Sequence, residues 1–128
     1  MTKQPMRIVE RQGVRPRDRV ERDVLALARA GREAVVHRLA FRAGRLAESR
    51  SHLFQSELPD AELWHSVLTA LYAPGKRKPP REVVLAVLPE EKELLEGVLG
   101  EGVELFVPSA GERKRMLDLA QENARSAL

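Results

Sequence analysis

Asp23-Val-Leu-Ala-Leu-Ala-Arg-Ala-Gly31 is a short apolar run closed by a glycine, and Ala34 to Phe41 follows it with Val35, Val36, Leu39 and Phe41. Two such runs separated by a few residues that include Gly predict paired strands. Arg42-Ala-Gly44-Arg45 then supplies a turn whose glycine tolerates a positive φ, and Leu46 to Phe54 resumes an extended, more polar pattern. The expectation is a three-strand meander.

Downstream the period changes. At Pro59-Asp60 an Asp is placed to cap a helix, in which Leu63, Trp64, Val67, Leu68, Leu71 and Tyr72 recur at helical spacing. The basic loop from Pro74 to Pro80 cannot continue that helix. The six apolar residues Val83 to Leu88 predict a strand covered on both faces. Glu90, Glu91 and Glu93 suit a helix N-terminus ahead of Leu94, Leu95, Val98 and Leu99, and Gly100 ends that helix. Val103 to Val107 reads as a fifth strand, and from Ser109 a last helix carries Met116, Leu117, Ala120, Ala124 and Leu128 on one face. The order β-β-β-α-β-α-β-α predicts an α/β fold, a five-stranded mixed sheet with three helices. Right-handed crossovers would set the last two strands parallel to the first. That is the element order of the ribonuclease-H-like fold.

Residues 1–22, rich in Arg, Gln and Pro, lack an apolar period and read as a basic arm or linker ahead of one domain over 23–128. With 128 residues, 43% hydrophobic and only 4% aromatic, that domain is expected to hold a single, aliphatic core. The absence of Cys excludes a disulfide framework, a thiolate zinc site and iron–sulfur ligation within this stretch. No run approaches the roughly 20 apolar residues of a membrane helix, and no signal peptide is visible, so a cytoplasmic protein without membrane contact is expected. Residues 1–58 hold 13 Lys and Arg against 7 Asp and Glu, and residues 59–128 hold 9 against 12. The basic half attracts phosphates or acidic partners. Its arginines, spaced singly among apolar residues, otherwise read as the solvated face of strands.

Phosphodiester cleavage on a ribonuclease-H-like sheet would need carboxylates converging on two Mg²⁺ ions. The centre of the first strand is Leu25-Ala26-Leu27, while Asp23 stands at its start, and two residues of strand move a carboxylate by about 7 Å. Glu90 and Glu91 after the fourth strand are explained as helix N-terminal charges, and Asp118 and Glu122 as residues of a solvated helix. His37, His52 and His65 lack zinc-helix spacing and read as surface residues. No serine sits in a nucleophile elbow, and no phosphate-binding glycine loop occurs. No catalytic residue, metal or cofactor is expected.

The most specific stretch is Pro108-Ser-Ala-Gly111-Glu112-Arg113-Lys114-Arg115-Met-Leu117-Asp-Leu119-Ala120-Gln-Glu-Asn123-Ala124. It resembles the UvrC family in the segment just before that family's catalytic ribonuclease-H-like domain. Asp23-Val-Leu-Ala-Leu-Ala, Phe41-Arg-Ala-Gly44-Arg45-Leu46, and Leu71-Tyr72 followed by Pro79-Pro80-Arg81-Glu82-Val83 match in the same order. The family often has Arg before the glycine where this chain has Ala110, so the resemblance carries no phosphate contact to that turn. It implies a non-catalytic scaffold within a bacterial DNA excision nuclease, contacting neighbouring domains of a parent chain and, through the parent, a UvrB–DNA complex. The residues themselves add an expectation of weak contact with a DNA backbone, through Arg15, Arg17 and Arg19 on the arm and Arg113, Lys114 and Arg115 in the first turn of the last helix. A free-standing nucleic-acid-binding module and an active nuclease are the alternatives.

Overall fold

The computed structural model describes residues 19–73 and 77–128. Three strands come first: β1 (Arg22–Ala30), β2 (Glu33–Arg42) and β3 (Arg45–Gln55). There follow α1 (Asp60–Leu71), β4 (Glu82–Val84), α2 (Lys92–Leu99), β5 (Glu104–Phe106) and α3 (Gly111–Ala127). The sheet order is β3-β2-β1-β4-β5, antiparallel across β3, β2 and β1 and parallel across β1, β4 and β5. The element order and the parallel placement expected of the late strands are both present. β1 opens at Arg22, one residue before the expected start. At the β2–β3 turn Ala43 and Gly44 both take positive φ, 54° and 77°, as a two-residue hairpin loop requires to match strand twist.

The single core expected from chain length is in fact divided by the sheet. β1 alternates its side chains, so Val24, Ala26 and Ala28 pack with Met116, Leu117 and Ala120 beneath α3. Leu25 packs on the opposite face with Trp64, Val67, Leu68 and Leu95 beneath α1 and α2. A central strand buried on both faces generates two layers of core from one sheet.

Local expectations fail where apolar residues outlast their partner strand. β4 covers three residues rather than six; its neighbour β5 is equally short, and the last ladder bond runs from the Leu85 N–H to the Phe106 carbonyl. Val87 and Leu88 are then 40% and 45% exposed. On α2 only Leu95 and Leu99 are buried, and Leu94 and Val98 face outward. The helix starts at Lys92 after Glu91 in a left-handed conformation, so Glu93 alone of the three glutamates lies in its first turn. Asp60 does not cap α1: Pro59 holds that position, and Asp60 instead accepts a hydrogen bond from Arg29 Nη1 at 3.0 Å. On α3 the buried stripe includes Leu119, whereas Leu128 is exposed beyond the helix end.

Candidate functional site

Residues of β1 share a face only with every second neighbour, so Asp23 lies with Leu25 on the α1 side of the sheet and Arg22 with Val24 on the α3 side. Asp23 is fully buried. Its Oδ2 accepts a hydrogen bond from Arg38 Nε at 2.9 Å and another from the Tyr72 hydroxyl at the end of α1. Its Oδ1 accepts one from Arg42 Nη1 at 2.9 Å. Arg38 extends the chain of charges by donating from Nη1 to Glu48 Oε1 at 2.6 Å. Burial alone would lower the Arg38 pKa, but Asp23 and Glu48 more than offset it and push it up. Burial likewise raises the Tyr72 phenol, reinforced by the Asp23 charge. Burial would raise the Glu48 carboxyl, and Arg38, Arg77 and Arg50 hold it below its ordinary value instead.

Across the sheet, β1 and β4 align Arg22 directly with Glu82. Glu82 Oε1 accepts from the buried Arg22 Nε and from Arg113 Nε, the latter at 2.9 Å. The Arg113 guanidinium also lies over the Phe106 ring, 4.7 Å from its centroid. Burial opposes the charge on Glu82, but Arg113 and Arg22 prevail and lower its pKa.

These carboxylates do not fit a two-metal centre. Asp23 and Glu82 occupy opposite faces of the sheet, and both Asp23 oxygens and Glu82 Oε1 accept guanidinium hydrogen bonds. Among the described residues, no three His, Asp or Glu side chains converge as a metal site would need.

The anticipated nucleic-acid contacts are dispersed. Arg15 and Arg17 lie outside the described residues. Arg19 is exposed and lines, with Arg81 and the carboxylates of Glu21 and Glu104, a cleft of about 740 Å³. Arg113 is turned onto Glu82 and Phe106, and Lys114 Nζ donates to Asp118 Oδ1 at 2.6 Å. Arg115 is exposed. Successive helix positions point about 100° apart, so the three do not face one way.

Other side chains depart from the surface reading. Arg22 and Arg38 are 1% and 3% exposed, not solvated strand positions. His37 is buried rather than on the surface: Nδ1 lies 2.7 Å from Ser51 Oγ and Nε2 2.8 Å from Ser49 Oγ. Burial, aided by His52, lowers its pKa to about 4. His52 and His65 are half-buried. Sequence reasoning missed Arg38, Arg42, Glu48 and Tyr72 as partners of one buried network. The available signal was parity: Arg38 and Arg42 fall in step with the inward-facing Ala34 and Val36.

Residues 21–128 match the family model described as the UvrC Ribonuclease H-like domain. The UvrABC system protein C of Anaeromyxobacter sp. (strain Fw109-5) is 39% identical over 123 residues, covering 92% of this chain and 17% of that protein. That of Desulforapulum autotrophicum is 34% identical over 130 residues, covering 94% and 20%. That of Thermus thermophilus is 38% identical over 112 residues, covering 83% and 19%. The chain thus spans a fifth or less of the length of these curated relatives.

Proposed function

The chain belongs to the UvrC ribonuclease H-like domain family, and from that premise we propose that it is a non-catalytic scaffold domain of a DNA-incising excision-nuclease subunit, acting in nucleotide excision repair in the bacterial cytoplasm. One observation carries the reading: the first-strand carboxylate, Asp23, is sealed by Arg38, Arg42 and Tyr72. A carboxylate held by two cations and a phenol braces a sheet; it does not present oxygens to substrate-bound Mg²⁺. The domain works by contact with neighbouring domains of its parent chain, and reaches a UvrB–DNA complex through that parent.

Helix α3 is the element suited to transmit such contact. Its buried stripe of Met116, Leu117, Leu119, Ala120 and Ala124 runs along its central half. Gln121 Nε2 adds a hydrogen bond to the Leu27 carbonyl at 2.7 Å, fixing the helix against β1. A helix held this way sets the distance and angle of whatever follows it. Two Ala residues inserted after Ala127 of the full-length protein rotate the following direction by about 200° and shift it by about 3 Å. Incision of damaged duplex should fall sharply in a folded insertion mutant. Undiminished incision, or Mg²⁺-dependent cutting by the 128-residue chain that Asp23→Asn abolishes, would refute the scaffold reading.

A further inference from the structure

The α1-side surface of the β2–β3 hairpin gathers more positive charge than the Asp23 network uses. Arg38 stands directly opposite Arg50, and Arg42 directly opposite Arg45, with Ala40 and Glu48 paired between them. Like charges at directly opposed positions destabilise a sheet. A bulge creates part of the arrangement: Ala40 pairs with Glu48 and Phe41 with Leu46, so Ala47 is passed over. In a regular strand the odd spacing from Arg45 to Arg50 would set them on opposite faces; the bulge at Ala47 absorbs one residue, and they share one.

Arg77 joins the cluster from the loop after α1, donating from Nη1 to the Leu71 carbonyl at 3.2 Å. Its charge reaches both Glu48 and His52. Five guanidinium groups therefore gather here, and the carboxylates bonded to them are Asp23 and Glu48. The outer ones remain accessible: Arg45 is exposed, and the Arg50 side chain is 64% exposed with its carboxylate contact stretched to 3.9 Å. Among them His52 Nε2 is buried without a hydrogen-bond partner among the described residues.

We propose that this face binds the phosphodiester backbone of DNA, with Arg45, Arg50 and Arg77 contacting phosphates. An anion offsets the charge of the outer arginine of each opposed pair, Arg50 and Arg45, while the inner ones, Arg38 and Arg42, keep their carboxylate bonds. Guanidinium forks match phosphate oxygens two at a time. The two arginine pairs lie four β2 residues apart, about 13 Å, far enough to contact separate phosphates of one strand. Between them the face is polar apart from Ala40, without the apolar anchors on which a peptide partner depends. The site is separate from Arg113, Lys114 and Arg115.

The test is fluorescence anisotropy of labelled duplex and single-stranded DNA against the 128-residue chain over a salt series. The double variant Arg45→Ala/Arg50→Ala should bind at least tenfold more weakly at low salt. The slope of log K against log[salt] should fall by about 2, since each missing phosphate contact removes about 0.9. Arg113→Ala/Lys114→Ala/Arg115→Ala should change the slope less. Arg45→Ala alone, at the exposed hairpin end, preserves the test if the double variant does not fold. Nitrogen-detected NMR should show His52 and Arg50 side-chain signals moving with the duplex. An unchanged slope in the Arg45 and Arg50 variants overturns the proposal. So does movement of those signals with inorganic phosphate or polyglutamate but not with DNA. Incision is not measured in these experiments, so their failure leaves the scaffold role standing.

Discussion

Arg38 and Asp23 meet in the interior of the domain, Nε to Oδ2 at 2.9 Å, with side chains 3% and 0% exposed. The pair joins β2 to β1, and Tyr72 ties α1 to the same oxygen. Charges buried this deeply are tolerable only when their partners are in place.

Removing one partner should therefore be costly. Asp23→Ala strands the Arg38 guanidinium without its main counter-charge and leaves the Tyr72 hydroxyl unpaired. A loss of about 3 to 5 kcal/mol is expected, read as a lower midpoint in urea unfolding. Were Asp23 a metal ligand, its removal would relieve local strain and spare stability, so an unchanged midpoint would count against the structural role.

The pH dependence follows from His37. Its pKa in the folded protein is about 4, against an ordinary value of 6.5, so the unfolded chain binds the proton more readily. The stability contribution is fully present above pH 6.5 and is lost as pH falls towards 4, by about 3 kcal/mol at most. Urea midpoints at pH 7 and pH 4.5 should differ more for the native chain than for His37→Gln. Equal differences would show that other groups govern the acid limb.

Leu117 is 4% exposed between α3 and β1. Leu117→Ala should cost about 2 to 5 kcal/mol, because the shorter side chain buries less apolar surface and leaves a cavity that the surrounding residues fill only in part. Thermal unfolding of the 128-residue chain measures this directly. In the full-length protein, incision should weaken while DNA cut by an added independent nuclease is unaffected.

Arg113 and Arg115 should behave differently despite standing two residues apart. Arg113 holds Glu82 and covers Phe106, but it is partly exposed, so Arg113→Ala should cost only about 1 kcal/mol. Arg115→Ala should leave stability unchanged. Paired thermal melts decide, and equal effects would mean that the Glu82 contact contributes nothing.

The α3 stripe, the Ala43-Gly44 hairpin and the order of strands and helices were legible in the sequence, because each depends on neighbours within a few residues. Apolar period marks a buried face, and glycine marks a backbone that must turn. Family membership was legible too, from motifs in order along the chain. What the tertiary structure alone decided is which charges went inside. Asp23 and Tyr72 are 49 positions apart and Arg22 and Glu82 are 60 apart, so no local pattern announces either contact. Register determines them: one residue of slip would send Arg38 to the α3 face. The same long-range pairing cut β4 to three residues and exposed Val87 and Leu88, since a strand persists only as far as the neighbour that bonds it.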